Sequence, residues 1–245
     1  MYHRKDPDNA GSSGTTIHWI KLQLGEHPEA KTWTSSISEN PNQYLLEDDC
    51  SGYDNHGTCS APFGLTSDAP RYKNCKNFEN NKYITTPARS YAGMKDSYTF
   101  SYWAKIPQIH GKMVFGFIDG NRLNVFPWNT ETNPDANPDK SWFNWNTNDS
   151  ANTPFRNNGV NVLIKPYNNT WHHYVITGNG SETKLYIDGV YTGTASSYKA
   201  IGDSNTQIVF SGYDTSANYK WNNGKISDFR IYATALSAAA VKELY

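Results

Sequence analysis

Short apolar segments recur along the chain from about residue 45, and turn-forming residues separate them. The strand candidates cover residues 99–104, 113–118, 123–126, 161–165, 173–177, 184–187, 207–210 and 226–232. The dipeptides Asp119–Gly120 and Asp188–Gly189, which follow two of these segments, are typical hairpin turns. Short strands at regular intervals with such turns predict an all-β fold, a two-sheet antiparallel sandwich or jelly roll.

One segment has helical character. Residues 237–244 read Ser-Ala-Ala-Ala-Val-Lys-Glu-Leu, which combines strong helix formers with a serine at the first position. Ser237 is therefore predicted to be the N-cap of a short C-terminal helix.

The charge balance excludes several classes of partner. The 245 residues contain 22 Lys and Arg against 23 Asp and Glu, a formal net charge of -1. A chain without excess positive charge gives no electrostatic reason to bind nucleic acid or an anionic membrane surface. No apolar run approaches the roughly 18 residues of a membrane span, so membrane insertion is not expected.

The first 44 residues differ in amino-acid composition from the rest of the chain. Residues 1–16 are polar and rich in Gly and Ser, residues 17–24 form an isolated strand candidate, and residues 34–44 read as a linker. We therefore predict an N-terminal segment over residues 1–44 and a β-sandwich domain over residues 45–245.

Three segments in a fixed order carry a family resemblance. They are Trp171–Val175, Lys184–Val190 and Gly224–Tyr232, and Asp49–Thr58 lies upstream of them. Together they resemble the laminin-G/pentraxin-like group of the concanavalin A-like sandwiches, with Asp49–Thr58 similar to the opening turn of that family. The resemblance extends over roughly residues 45–245 and implies a concanavalin A-like jelly roll.

Further segments resemble proteins of bacteriophage tails. Residues 67–72 with Asn77 and Phe78 are similar to the bacteriophage and bacterial versions of the family. Residues 20–26 and 30–34 look like the closing strand of a β-domain that is common in phage tail proteins. This second resemblance implies that the chain is the C-terminal piece of a tail protein in the virion, assembled in the bacterial cytoplasm. The alternative is a secreted protein or one at the bacterial cell surface.

The carboxylates do not follow the pattern of a glycosidase. Retaining hydrolysis requires two carboxyl groups about 5–5.5 Å apart, and on one strand only residues at i and i+2 or i+4 share a face. Glu79, Glu131 and Glu182 occur singly in loop-like contexts, and no strand candidate carries two Glu. We therefore expect a non-catalytic domain. The adjacent His172 and His173 are expected to point to opposite faces of their strand, one exposed and one packed.

The segment 127–159 reads as a long loop with an unusual composition. It contains Trp128, Trp142 and Trp145 among many Asn residues. Aromatic faces pack against the C–H faces of sugars, while amides and carboxylates bond hydroxyl groups, so these tryptophans are candidate carbohydrate-binding residues. Trp142 and Trp145 are three positions apart and would point to opposite faces of a strand, which places at least one in the core. The alternative is that the aromatic residues only pack the loop onto the sandwich.

A second segment, residues 213–223, has the same composition. Tyr213, Trp221 and Asn222 are its candidate carbohydrate-binding residues. We predict that this segment and residues 127–159 form one ligand edge.

The resemblance also implies calcium, which is the usual ion of this fold group and is bound by six to eight oxygen atoms. The candidate ligands are Asp49, Asp54, Asn55 and Asp228. Capping of turns by the same side chains is the alternative.

The three cysteines are expected to be reduced thiols without a function rather than ligands of a metal site. Cys50, Cys59 and Cys75 with His56 lack the short Cys-x2-4-Cys spacing of structural zinc sites. One disulfide, Cys59–Cys75 or Cys50–Cys59, is compatible with an extracellular setting.

These observations lead to one functional hypothesis and two alternatives. The first is a carbohydrate- or receptor-binding module of a phage tail that attaches to host cell-surface glycan. It contacts other tail subunits and is displayed in several copies, for example in a homo-oligomer. The alternatives are a structural decoration or spacer domain of the virion and an accessory carbohydrate-binding domain of a secreted glycosidase.

Overall fold

The computed structural model describes just under half of the chain. The described residues are 20–22, 46–47, 57–61, 65–66, 68–70, 75–106, 114–118, 124–126, 141–146, 159–162, 169–194, 205–212 and 224–245. Within them, no helix has both the length and the apolar character needed to cross a membrane.

Strands account for most of this structure. In chain order they are β1 (Ile20–Leu22), β2 (Leu46–Glu47), β3 (Gly57–Cys59), β4 (Leu65–Thr66), β5 (Cys75–Phe78), β6 (Ile84–Thr85), β7 (Arg89–Ser90), β8 (Tyr98–Lys105), β9 (Phe115–Phe117), β10 (Asn124–Phe126), β11 (Ser141–Asn146), β12 (Gly159–Val162), β13 (Trp171–Gly178), β14 (Thr183–Ile187), β15 (Val190–Thr194), β16 (Asn205–Thr206), β17 (Ile208–Phe210) and β18 (Gly224–Tyr232). One turn of 3-10 helix covers Ala92–Met94, and the α-helix α1 covers Ala238–Leu244.

The strands form two large antiparallel sheets and one small one. Sheet A has the order β15-β14-β13-β8-β18-β5-β4, and β1 also pairs with β18. Sheet B has the order β12-β11-β10-β9-β17-β6-β3-β2, and β7 pairs with β16 in a separate ribbon. The predicted two-sheet antiparallel sandwich with a short C-terminal helix is confirmed.

Aromatic side chains fill the space between the two sheets. On β8, Phe100 and Tyr102 alternate with residues on the opposite face and are fully buried. From sheet B, the ring of Phe115 lies 5.2 Å from the ring of Phe100 and 5.7 Å from that of Tyr102. Phe229 of β18 contacts this group, with its ring 5.0 Å from Phe115 and 4.6 Å from Phe210. Large aromatic groups therefore join the two sheets into one core.

A β-bulge in β18 determines which of its side chains reach that core. The register with β8 shifts between Ser227 and Arg230, and Asp228 has a left-handed backbone with φ of 49°. Arg230 Nε donates to Asp228 Oδ1 at 2.7 Å and Arg230 Nη2 to Asp228 Oδ2 at 2.6 Å. Burial disfavours the charge of Arg230, but the adjacent Asp228 outweighs burial and holds the Arg230 pKa above its usual value. The ion pair thus stabilises the buried turn of backbone at the bulge.

The helix covers the outer face of sheet A. Ser237 is its N-cap, as predicted, and accepts a hydrogen bond from the Ala240 N–H at 3.2 Å. Val241 of the helix packs with Val175 and Tyr186 of the sheet. Sheet A is therefore buried on both faces over most of β8, β13 and β14, while Lys105 at the end of β8 and Trp171 at the start of β13 are only partly buried.

Two parts of the structure differ from the division of the chain expected from sequence. Residues 127–159 are not one loop, because Ser141–Asn146 forms β11 and pairs with β10 and β12. Trp142, Phe143 and Trp145 favour a strand, but Asn is unfavourable in strands and is abundant in and around this one, so the whole segment was predicted to be a loop. Residues 20–22 pair with Phe229–Ile231 of β18, which adds β1 to sheet A. The other residues of the 1–44 segment lie outside the described ranges, and its assignment to a separate region stays a prediction.

Phe229→Ala tests the role of this aromatic core. Removal of the ring leaves a cavity among at least four aromatic neighbours, and we expect a loss of about 3–5 kcal/mol in the free energy of unfolding. Urea unfolding followed by tryptophan fluorescence measures it. Val190→Ala, at a position whose side chain is exposed, is the control and should change this free energy by less than about 0.5 kcal/mol. Equal small effects of the two substitutions would contradict this description of the core.

Candidate functional site at the Trp171 end

Among the described residues, several polar and charged groups that could contact a ligand lie at one end of the sandwich. We call it the Trp171 end. It is the end at which β8 finishes with Lys105, β13 begins with Trp171, and the β14–β15 hairpin turns at Asp188–Gly189. Lys225, paired with Lys105, marks the same end on β18.

Strand directions bring the start of the first predicted ligand segment and both borders of the second to this end. The ring of Phe115 contacts Tyr102, and Phe117 lies beside Phe100, so β9 runs away from the Trp171 end. Antiparallel pairing then directs the end of β10 and the start of β11 toward it, as it does for the end of β17. The strand ends that flank residues 127–140 and 213–223 therefore lie at one end of the sandwich.

Two lysines and an aspartate form an ion cluster at the Trp171 end. Lys105 Nζ donates to Asp68 Oδ2 at 2.9 Å, and Lys225 Nζ donates to Asp68 Oδ1 at 2.8 Å. Burial opposes ionisation of Asp68, but the two ammonium groups outweigh it and hold the Asp68 pKa well below its usual range. The carboxylate stays charged at any physiological pH, and the two lysines are held side by side.

Trp171 lies next to this cluster on the outer face of sheet A. It pairs directly with Lys105 across β13 and β8, so the two side chains share a face. The indole Nε1 of Trp171 is buried and makes no hydrogen bond in the structure as described. The neighbouring Trp103 is covered, because the Tyr245 ring stacks on it with centroids 5.6 Å apart. Of these two indoles, Trp171 is the one that is only partly buried.

A hydroxyl, an imidazole and a carboxylate form a hydrogen-bonded chain at the start of β13, through the two residues that flank Trp171. Thr170 Oγ1 lies 2.9 Å from His172 Nε2, and His172 Nδ1 lies 2.7 Å from Asp188 Oδ2. Asp188 Oδ1 also accepts the His173 N–H at 2.9 Å. Burial opposes ionisation of Asp188, but these hydrogen bonds outweigh it and hold the Asp188 pKa below its usual range.

The two histidines separate across the sheet as expected from alternation. His173 is buried on the outer face, where its Nε2 lies 2.8 Å from Ser101 Oγ. His172 is on the other face, edge-on to Tyr174, and its side chain is 15% exposed rather than open to solvent. The contact of His172 with Asp188 explains why His172 is less exposed than predicted.

The residues predicted to bind carbohydrate are only partly within the described ranges. Trp145 pairs with Val125, a core position, and Trp142 pairs with Asn161, so the two positions lie on opposite faces of sheet B. The remaining candidates, which are Trp128, Tyr213, Trp221 and Asn222, lie outside the described residues. Their assignment stays a prediction.

The predicted calcium ligands also lie only partly within the described residues. Asp49, Asp54 and Asn55 lie outside the described residues. Asp228 forms the bulge of β18, and both of its carboxylate oxygens accept hydrogen bonds from Arg230. Among the described residues, no group of three or more His, Cys, Asp or Glu side chains is close enough to hold a metal ion.

Several described carboxylates are paired with bases rather than with each other. Asp68 contacts two lysines, Asp188 contacts His172, Asp228 contacts Arg230, and Glu182 contacts Lys184. A glycosidase general acid requires a raised pKa and a second carboxyl group nearby. Asp68 and Asp188 have lowered pKa values instead, so these groups are unsuited to that chemistry.

A comparison with protein families identifies the group to which this sandwich belongs. The laminin G model described as concanavalin A-like lectin/glucanases superfamily matches residues 78–242. The chain belongs to this superfamily. The match begins in β5 and ends within α1, so it contains the β8–β13–β18 centre of sheet A. A search of curated protein sequences gives no match.

Solved structures with a fold similar to that of this chain include a domain of an arabinanase and the binding domain of a neurotoxin. Domain 4 of AbnA, an extracellular GH43 arabinanase from Geobacillus stearothermophilus solved with arabinotriose, has a TM-score of 0.59 and 18% identity. The alignment covers 92% of this chain and 97% of that domain. The binding domain of botulinum neurotoxin DC in complex with SialylT has a TM-score of 0.58 and 16% identity. There the alignment covers 92% of this chain but only 49% of the toxin chain, about half its length. At these identities the likeness establishes the fold.

Asp188→Asn tests the electrostatics of the Trp171 end. Because the folded-state pKa of Asp188 is lowered, its carboxylate stabilises the fold above about pH 4, and this contribution is lost as the pH falls through the folded-state pKa. We expect the variant to be less stable by about 1 kcal/mol at pH 7, since the carboxylate is partly exposed. The difference from the unaltered protein should shrink below about pH 4. Urea unfolding at several pH values measures it.

Asp96→Asn is the matched control, because Asp96 is exposed at the opposite end of β8. A stability difference between the unaltered protein and Asp188→Asn that stays constant from neutral to acid pH would contradict the role assigned to Asp188.

Proposed function

We propose that the protein is a non-catalytic carbohydrate-binding module. Membership in a superfamily of lectins and glucanases supports this proposal, and so does the likeness to domains whose structures contain saccharides. The non-catalytic part rests on the described carboxylates. Each of Asp68, Asp188 and Asp228 serves as the partner of a base.

The observation that carries the proposal is the composition of the Trp171 end. It combines an indole, two ammonium groups and a hydroxyl–imidazole–carboxylate chain within one end of a rigid sandwich. Carbohydrate sites require a flat apolar face and several polar groups of fixed orientation. The strand ends that flank residues 127–140 and 213–223 lie at the same end, and these residues are proposed to enlarge this surface.

We further propose that the module attaches a bacteriophage tail to host cell-surface glycan. The resemblance of residues 20–26 and 30–34 to the closing strand of a phage tail domain supports this setting, and so does the similarity of residues 67–72, Asn77 and Phe78 to the bacteriophage and bacterial versions of the family. A single sugar stacked on one indole gains only about 1–2 kcal/mol, so one site binds weakly. Display of several copies on a tail raises the overall affinity without new contacts.

Binding of the whole chain to a glycan array tests the carbohydrate function. We expect weak binding to a restricted set of glycans, strengthened when the protein is presented as multimers. Trp128→Ala and Trp221→Ala should each reduce binding by about 1–2 kcal/mol, because an indole face is lost. Their melting temperatures should change by less than about 2 °C. The array repeated with EDTA tests the proposed calcium, whose removal should weaken binding.

Three results would contradict parts of this proposal. A large fall in the melting temperatures of Trp128→Ala and Trp221→Ala would place these two tryptophans in the core. Undiminished glycan binding by both variants would place the ligand elsewhere on the sandwich. Cleavage of a glycan, lost in Glu79→Gln or Glu182→Gln, would show that the domain is catalytic.

A further inference from the structure

The ion cluster of Lys105, Lys225 and Asp68 has more positive than negative charge. The two ammonium groups share the Asp68 carboxylate, with one oxygen bonded to each nitrogen at 2.9 and 2.8 Å. Each lysine ammonium has three N–H donors, so further donors remain after the bond to Asp68. The cluster can accommodate a second anionic group or exchange Asp68 for one.

The positions of both ammonium groups are fixed by the fold. The Lys105 and Lys225 side chains are only 23% and 17% exposed, and each ammonium group is bonded to Asp68. Their strands pair directly at these positions in the centre of sheet A. A ligand that contacts them does not have to order two mobile side chains, which reduces the entropic cost of binding.

Asp68 itself indicates which anion fits. Its two oxygens reach the two ammonium groups simultaneously, so the spacing of the lysines matches a planar carboxylate. The Asp68 side chain is 39% exposed, more than the side chains of the two lysines that it contacts. A carboxylate on a ligand could therefore approach the same donors from solvent.

Trp171 supplies the second part of a sugar site. It occupies the position across from Lys105 on the same face, so its indole and the lysine pair form one row over β13, β8 and β18. A pyranose ring presents an apolar C–H face for an indole and, in acidic sugars, a carboxylate at its edge. Both groups of such a sugar find a partner in this row.

We infer that the Trp171 end binds a carboxylate-bearing saccharide, with its carboxylate held by Lys105 and Lys225 and its ring against Trp171. Asp68 occupies the same donors when no ligand is bound and competes with the ligand. This inference rests on the proposed carbohydrate function and specifies the class of sugar.

The test is an array of uronic-acid and sialic-acid oligosaccharides, each presented beside its methyl ester, with the full chain as the probe. The two members of a pair differ in charge but keep the same ring. We expect the free acid to bind at least about tenfold more tightly than the ester, through two charged hydrogen bonds. A rise in NaCl from about 50 mM to about 500 mM should reduce this preference, because salt screens partly exposed charges.

Substitutions at the cluster separate this site from any other. Lys105→Gln and Lys225→Gln should each weaken binding of the free acid roughly fivefold and leave binding of the ester unchanged. Asp68→Asn should strengthen binding of the acid, because the competing carboxylate is removed while the side chain keeps its size. Lys95→Gln removes the same charge from an exposed position near the opposite end of β8 and is the matched control.

The outcomes distinguish this inference from the broader proposal. Equal binding of acids and esters, unaffected by the lysine substitutions, would overturn the acidic-sugar site and leave carbohydrate binding intact. Lysine-dependent binding of sulfated saccharides alone would overturn the preference for carboxylates. Failure to bind any saccharide would overturn both.

Discussion

The bulge at Asp228 is the constraint on which the rest of sheet A depends. Ile226 and Phe229 both reach the core, although their spacing of three residues breaks the two-residue period of a strand. The additional residue at position 228 restores the alternation, and the Asp228–Arg230 ion pair holds the left-handed backbone that this requires. Because the bulge lies between them, Lys225 faces outward before it and Phe229 faces inward after it. The aromatic core and the lysine pair of the candidate site therefore both depend on this one irregularity.

Three aspartates of the described structure make short-range hydrogen bonds and ion pairs. Asp68, Asp188 and Asp228 each stabilise a local arrangement of backbone or basic side chains. The pKa values of Asp68 and Asp188 lie below their usual range, so these two carboxyl groups are poor proton donors at neutral pH. The Trp171 end also holds hydrogen-bond donors beside an indole, the arrangement on which the proposed binding of saccharides rests.

Much of the fold could be predicted from sequence, and the site could be predicted only in part. The alternation in β8 and β13 and the N-cap at Ser237 are local signals, and they gave the sandwich and its helix. The strand β11 was missed because Asn, which is unfavourable in strands, is abundant in and around it. The cluster of Lys105, Lys225 and Asp68 joins three distant parts of the chain. The register of β8 with β18 brings the two lysines together, and Asp68 follows β4 of the same sheet. The spacing of Ile226 and Phe229 was the one local signal that could have revealed the bulge and hence that register.

The central claim is that ligands bind at the Trp171 end, and an NMR titration tests it most directly. The saccharide with the highest affinity on the array is added to the 15N-labelled chain, and the indole Nε1–H of Trp171 is followed with the backbone amides. The account predicts that the Trp171 indole and the amides of Lys105 and Lys225 shift together and saturate at one concentration. Shifts confined to the hairpin around Gly178–Thr183, at the opposite end of the sandwich, would contradict it.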